Sequence, residues 1–400
     1  MKIIGNIPRR KVNNWTLPDG WKLVSLSDVC EIISGQSPPS STYRKTQEGL
    51  PFFQGKADFG LIHPIPSVWC VEPKKISEPG DILISVRAPV GPTNIAVVKC
   101  CIGRGLAAIR CSEEVERDFV LSALRLFEQE LVQQGTGSTF DAINRDQLER
   151  FEIPLPPLSE QKRIAAILRE RMDAVEHARK SAEEQLEAAT ALTDAYLREI
   201  FESKEAKGWP RKVFGEIAVI TSKQVDPKLP EYKDLPHVNG ENVESGTCRL
   251  LYLNTAAEDG MISGKYLFEP GVVLYNKLRP YLRKVFYADF KGLCSADMYP
   301  INVSRDHIIP EFTSLMLLSE QFTEYANKLS DRARMPKLNR HQLFAWEAPC
   351  PSIEKQQEIV SDFRKKAEKT VNFISSIKAQ FSTINALPGA LLRQAFRGEL

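Results

Sequence analysis

Polar and apolar positions along the chain fall into two regimes, and both recur. From Leu158 onward, apolar residues return at alternating steps of four and three: Leu168, Met172, Val175, Ala182, Leu186, Ala189, Tyr196 and Ile200, with Arg179 and Thr193 completing the series. That spacing keeps one stripe of a helix turned toward one partner, and it predicts a long helix with a coiled-coil seam. A second run from Ile353 carries the same series as Phe363, Ala367, Thr370, Ile374, Ile377, Phe381, Ile384, Pro388, Leu391 and Ala395. Gln161 and Gln356, Ile164 and Ile359, Arg198 and Arg393, and Phe201 and Phe396 each stand 195 residues apart, so no insertion separates the copies. Two such helices in one chain are expected to pack on each other, antiparallel. Pro156-Pro157 and Pro351 precede the helices, where a missing N–H costs least. Pro388-Gly389 predicts a break or kink in the second helix.

The segments between the helices show shorter runs with strand character, again in pairs. Gly20-Trp21 is answered by Gly208-Trp209, and Pro51-Phe52-Phe53-Gln54-Gly55-Lys56 by Pro236-His237-Val238-Asn239-Gly240-Glu241. Glu78-Pro79-Gly80 and Glu269-Pro270-Gly271 each read as a turn leading into an apolar strand that ends basic. Strand-like runs follow at Gly105 to Cys111 and Met298 to Val303, then helical periodicity over Glu116 to Gln134 and Glu311 to Leu329. The loops after those helices differ: Gly135-Thr136-Gly137-Ser138-Thr139 is small and hydroxylated, whereas Ser330 to Lys337 carries Arg332 and Arg334. The copies rejoin at Asn144-Arg145 and Asn339-Arg340. The chain therefore reads as an α+β protein with a first domain at 1–157, a helix at 158–205, a second domain at 206–350 and a helix at 351–400.

Composition narrows the class. With 42% hydrophobic and 26% charged residues, 400 residues suit a globular chain with an ample core. A net charge of +2 means that any surface for a polyanion must be local. No signal peptide or membrane-length apolar run is evident, so a cytoplasmic protein without membrane contact is expected. The 8 cysteines form no C-x-x-C and sit apart from the histidines, which reads as buried free thiols with no metal site.

Candidate chemistry is that of binding. Gln54 and Asn239 are amides beside a glycine turn and could pair with adenine, although a turn former needs the same residues. Lys56 stands beside Gln54. Arg87 follows one basic strand end; Lys277, Arg279, Tyr281 and Arg283 follow the other, interleaving cations with an aromatic as phosphate contact plus stacking would. A solvated hairpin end would look the same. Thr136, Ser138, Thr139, Arg332, Arg334 and Lys337 complete the DNA-facing candidates from the two loops. A Walker-type phosphate loop is missing, and so is the Asn-Pro-Pro-aromatic tetrapeptide that an adenine methyltransferase needs. Asp226, Glu231 and Lys233 mimic a nuclease site only faintly. His63, His237 and His341 have no nucleophile beside them in sequence. No catalytic residue is assigned.

The Leu155-Pro156-Pro157-Leu158-Ser159-Glu160-Gln161 helix entry, the Ala395-Phe396-Arg397-Gly398-Glu399-Leu400 ending and the duplicated domain-helix order resemble the DNA specificity subunit of type I restriction-modification systems. That resemblance spans the chain. It implies two target recognition domains, each reading half of a split site on double-stranded DNA, separated by helices that act as spacer and as docking surface for two methyltransferase subunits. A restriction subunit would join outside them. S-adenosylmethionine, ATP and magnesium would belong to those partners, leaving this chain without a cofactor. An autonomous nuclease or methyltransferase and a purely structural coiled-coil scaffold are the alternatives.

Overall fold

In the computed structural model, which describes residues 11–12, 15–134, 142–220, 223–330 and 336–400, the two periods become two mixed α+β units. The first comprises Met1–Ser181 with Phe381–Leu400, the second Ala182–Gln380.

The first unit contains strands β1 (Lys22–Ser25), β2 (Cys30–Ser34), β3 (Leu50–Phe53), β4 (Ile82–Ser85), β5 (Thr93–Ile95), β6 (Cys100–Ile102), β7 (Leu106–Cys111) and β8 (Glu152–Leu155). A four-stranded sheet runs β5-β4-β7-β2, and β6 lies parallel to β3 in a five-stranded sheet. Alternation along the middle strands explains the layering. Ile82, Ile84, Ala107 and Ile109 face one cluster together with helix α1 (Arg117–Leu126), while Leu83, Leu106 and Ala108 face another with Phe53 and Ile102 of the five-stranded sheet. Asp81, almost fully buried, ties down the entry to β4 by accepting from the Glu78 amide, the Ser77 hydroxyl and two nitrogens of Arg110. The turn itself needs Gly80, whose φ of +94° other residues adopt only under strain.

The second unit repeats this plan. Its strands are β9 (Arg211–Val213), β10 (Ala218–Ile220), β11 (Pro236–Val238), β12 (Val272–Asn276), β13 (Val285–Ala288), β14 (Gly292–Cys294), β15 (Met298–Val303) and β16 (Glu347–Pro349). The four-stranded order is β10-β15-β12-β13, and β11 pairs parallel with β14. The β1·β8 ladder recurs as β9·β16. Each of the expected single helices is two: α1 gives way to α2 (Glu128–Gln133) at Phe127, and the second copy is split at Ser319 into α4 (Pro310–Leu318) and α5 (Glu320–Ser330). Ser319 takes extended φ/ψ and bonds Phe322 through its hydroxyl, so a new helix starts where the old one ends.

The long helices are α3 (Leu158–Phe201) and α6 (Ile353–Phe396). Every residue of the seam from Leu168 to Ile200 and from Phe363 to Ala395 is buried or half-buried. The start of α3 shares the core of the first unit with the end of α6, through Ala165, Leu168, Leu392 and Ala395. Its own end shares the core of the second unit with the start of α6, through Leu197, Phe201, Ile359 and Phe363. Within each unit the pair therefore runs antiparallel. Phe396 lies 4.9 Å from the Phe119 ring and 6.1 Å from Trp21; Phe201 stands 5.6 Å from Phe312 and 6.3 Å from Trp209. The helix does not end at Pro388: α6 continues through it without a break. Proline removes one backbone bond there, but the residues beyond it, Leu392, Ala395 and Phe396, are buried in the core and hold the last turns in place.

Gln161 and Gln356 join domain to helix in the same manner. Gln161 is 1% exposed; its Oε1 accepts from the Glu116 amide at 2.8 Å and its Nε2 donates to the Pro156 carbonyl at 2.9 Å. Gln356, fully buried, accepts from the Ile309 amide at 2.9 Å and donates to the carbonyls of Pro351 and His307. Glu116 and Ile309 are the residues that open α1 and α4. Replacing Gln161 or Gln356 by leucine should leave buried backbone groups without partners and cost about 1–3 kcal/mol in each case. Hydrogen exchange should show the loss concentrated in α1 for the first variant and in α4 for the second.

Candidate nucleic-acid interface

In the first unit, strand ends from both sheets converge on one edge. Gly103-Arg104-Gly105 links β6 to β7 across the two sheets. Its Gly103 amide bonds Phe53 at the end of β3, its Arg104 amide bonds the Ser37 hydroxyl after β2, and the Gly105 carbonyl accepts from Val86 after β4. The packing is tight enough to demand glycine: a Cβ on Gly105 would lie 2.2 Å from the Gln54 carbonyl oxygen, and one on Gly35 would lie 2.1 Å from that of Gly103. Exposed side chains of Gln36, Gln54, Lys56, Arg87 and Arg104 crown this edge. Arg87 bridges Ala142. Thr136, Ser138 and Thr139 lie outside the described residues.

The second unit builds the same edge with other side chains. Ser295-Ala296-Asp297 joins β14 to β15; Ser295 bonds Val238, and Lys277 bonds the Asp297 carbonyl, each bond matching one in the first unit. Leu278 bridges Lys337, and the Arg279 amide bonds Pro336. Arg332 and Arg334 also lie outside the described residues. The expected basic face is thinner than its sequence. Lys277 turns inward to the Ala296 carbonyl, pairs with Asp297 at 3.7 Å and sits over the Tyr299 ring, and burial pulls its ammonium below the usual lysine range. Arg283 is committed to Asp194 on α3 at 2.7 Å and to the Leu318 carbonyl at 2.9 Å. Arg279, Lys337 and Tyr281 are left exposed. Asn239 serves its turn: its Oδ1 accepts from Glu241 and Asn242.

His237 shows a pairing that sequence could not reveal, with Nδ1 bonded to Asp259 at 2.7 Å. It is 1% exposed and its Nε2 has no partner. Burial therefore holds the ring neutral, below the usual histidine range, despite the carboxylate beside it. The geometry is that of a core histidine, since Nε2 reaches neither solvent nor a hydroxyl. Among the described residues no cluster of three or more His, Cys, Asp or Glu could hold a metal ion.

Comparison with known proteins places this architecture. The model of the type I restriction modification DNA specificity domain matches residues 18–187 and again residues 206–380. The chain belongs to that family. One relative, the MjaX type I restriction enzyme specificity subunit of Methanocaldococcus jannaschii, is 48% identical over 43% of this chain and 41% of its own, so the match spans less than half of that protein. The EcoDI type I restriction enzyme specificity subunit of Escherichia coli is 27% identical over 96% of this chain and 89% of its own length. A crystal structure of the HsdS subunit from Thermoanaerobacter tengcongensis is 50% identical over 42% of each chain, with a TM-score of 0.39.

For a member of the DNA specificity family, the structure adds residues that the sequence reading passed over. Gln36 and Arg104 join the edge because backbone bonds between distant strands bring them there; the flanking glycines of Gly103-Arg104-Gly105 were the legible signal. Of the exposed cations, Arg279→Ala and Lys337→Ala should each weaken binding to DNA of any sequence and flatten the salt dependence by about 0.9 in log–log slope per phosphate contact. Arg283→Ala should instead lower the stability of the second unit, measured by urea titration, because Asp194 and the Leu318 carbonyl lose their partner. A further check concerns pH. A histidine kept neutral when folded binds its proton more readily when unfolded, so stability of the second unit should fall as pH drops below about 6.5. His237→Gln should flatten that step in pH-dependent melts.

Proposed function

We propose that the chain is the DNA-recognition subunit of a type I restriction-modification complex, reading a split site on double-stranded DNA with one half assigned to each unit. The observation that carries this reading is one scaffold built twice, with matching backbone bonds at the converging turns and different side chains presented there: Gln54, Arg87 and Arg104 in one unit, Arg279 and Asp297 in the other. A repeated scaffold with altered tips suits two readers of two sequences. The chain supplies recognition, and methyl transfer and cleavage belong to its partners, with S-adenosylmethionine, ATP and magnesium bound there.

Two methyltransferase subunits are the expected partners, with a restriction subunit completing the assembly. A duplicated cleft supports two copies of one partner. In the first unit about 340 Å³ is lined by Leu121, Ala165, Leu168 and Met172 beneath an Asp118–Arg169 ion pair of 2.5 Å. In the second, about 300 Å³ is lined by Leu315, Val360, Phe363 and Ala367 beneath a Glu311–Arg364 pair of 3.5 Å. The cytoplasm is the expected location; no helix among the described residues is long and apolar enough to cross a membrane.

The test is domain exchange. With a cognate methyltransferase present, replacing residues 206–350 by the equivalent domain of another family member should change one half of the methylated sequence and leave the other intact. A change in both halves would show that the readers are not independent, and methyl transfer or cleavage by the pure chain alone would overturn the non-catalytic assignment.

A further inference from the structure

We propose that Arg104 is the guanine-reading residue of the first unit, and that the second unit has no counterpart to it; this deepens the reading of the chain as a two-domain DNA reader and rests on it. The turn between β6 and β7 is the point where three strand ends meet. Both flanking glycines are buried, and Arg104 between them is exposed. Its backbone is fixed on every side: Gly103 to Phe53, Arg104 to the Ser37 hydroxyl, Gly105 to Val86, and Leu106 back to Gly103. No residue with a Cβ fits at 105, because the Gln54 carbonyl is in the way. The exposed Arg104 side chain is therefore carried on a rigid pedestal whose backbone packs against that of Gln54.

A rigid base matters for one kind of contact more than another. Bidentate pairing to guanine O6 and N7 requires both nitrogens in the plane of the base, so the residue must be aimed. A phosphate contact tolerates a flexible stem and carries no sequence information. The comparison between units points the same way. Leu106 bonds Gly103 as Met298 bonds Ser295, and Gly103 bonds Phe53 as Ser295 bonds Val238, so Arg104 corresponds to Ala296 and Gly105 to Asp297. Backbone-positioning cations could be retained in both readers, whereas residues that specify bases must differ where the half-sites differ. At this place the second unit presents a methyl group and a carboxylate, neither of which can donate to guanine.

The experiment uses the full chain assembled with its cognate methyltransferase. Methylated sites are mapped for the unaltered chain, for Arg104→Ala and for Arg104→Gln, with gel filtration and thermal melts to establish that each variant folds and assembles. Binding to a cognate duplex is followed as a function of salt. The expected result is that Arg104→Ala relaxes one guanine position in one half-site, with discrimination there falling roughly 10- to 100-fold, while the other half-site is read unchanged. Arg104→Gln should shift the preference at that position toward adenine. Two outcomes would overturn the proposal: an unchanged motif in both variants, or uniform weakening on all sequences with a shallower salt slope, which would make Arg104 a phosphate contact. If the unaltered complex methylates no split site at all, the two-domain reading itself fails. A variant that does not fold is replaced by Ala296→Arg in the second unit, which should add a guanine preference to the other half-site; its failure to do so in an assembled complex counts against the pedestal as a guanine-reading position.

Discussion

Burial of two phenylalanines fixes how the chain is arranged. Phe201 and Phe396 occupy equivalent places at the ends of the long helices, yet each closes the core of a different unit, Phe201 against Trp209 and Phe312, Phe396 against Trp21 and Phe119. Full burial of such a ring is worth several times the net value of a hydrogen bond. Each helix therefore contributes one end to each core. The helices are thus part of both folded units, and their seam residues are buried or half-buried along their length.

With the helices committed, the glutamines at their starts set the position of the domains. An amide side chain can accept and donate at once, and Gln161 and Gln356 use both functions, holding the first turn of α1 or α4 to the chain entering the long helix. A buried amide is favourable only if it is satisfied, and here both ends are. The main polar and aromatic contacts of the helix ends are matched in the two units, while the turns at the sheet edge carry different side chains.

That edge is where charge becomes selective. Of the cations that follow the second basic strand, Lys277 and Arg283 are absorbed by Asp297, Asp194 and backbone carbonyls, so the cationic face is smaller than the count of basic residues implies. In the first unit the glycine-rich crossing of strands excludes side chains from the interior of the turn and leaves the intervening arginine in solvent. The same backbone thus presents an arginine in one copy and an alanine beside an aspartate in the other.

The α+β class, the duplication and the seam followed from sequence because they depend on local periodicity and on residues repeated at a fixed offset. The turns at Gly80 and Gly271 followed for a similar reason: Glu-Pro-Gly states its own backbone preference, and both glycines take positive φ. Pro388 shows the limit, since its local preference for a break is overridden by the packing of Leu392, Ala395 and Phe396 farther along. Which cations face outward was also beyond the sequence, because the partners of Lys277 and Arg283 lie far from them in the chain or are carbonyls with no side-chain signature. Gln36 and Arg104 went unnoticed for the complementary reason. Their candidacy comes from the meeting of β2, β3, β6 and β7 at one edge, and only long-range pairing brings those strand ends together. Periodicity is a property of neighbours along the chain, and a candidate recognition edge is a property of neighbours in space.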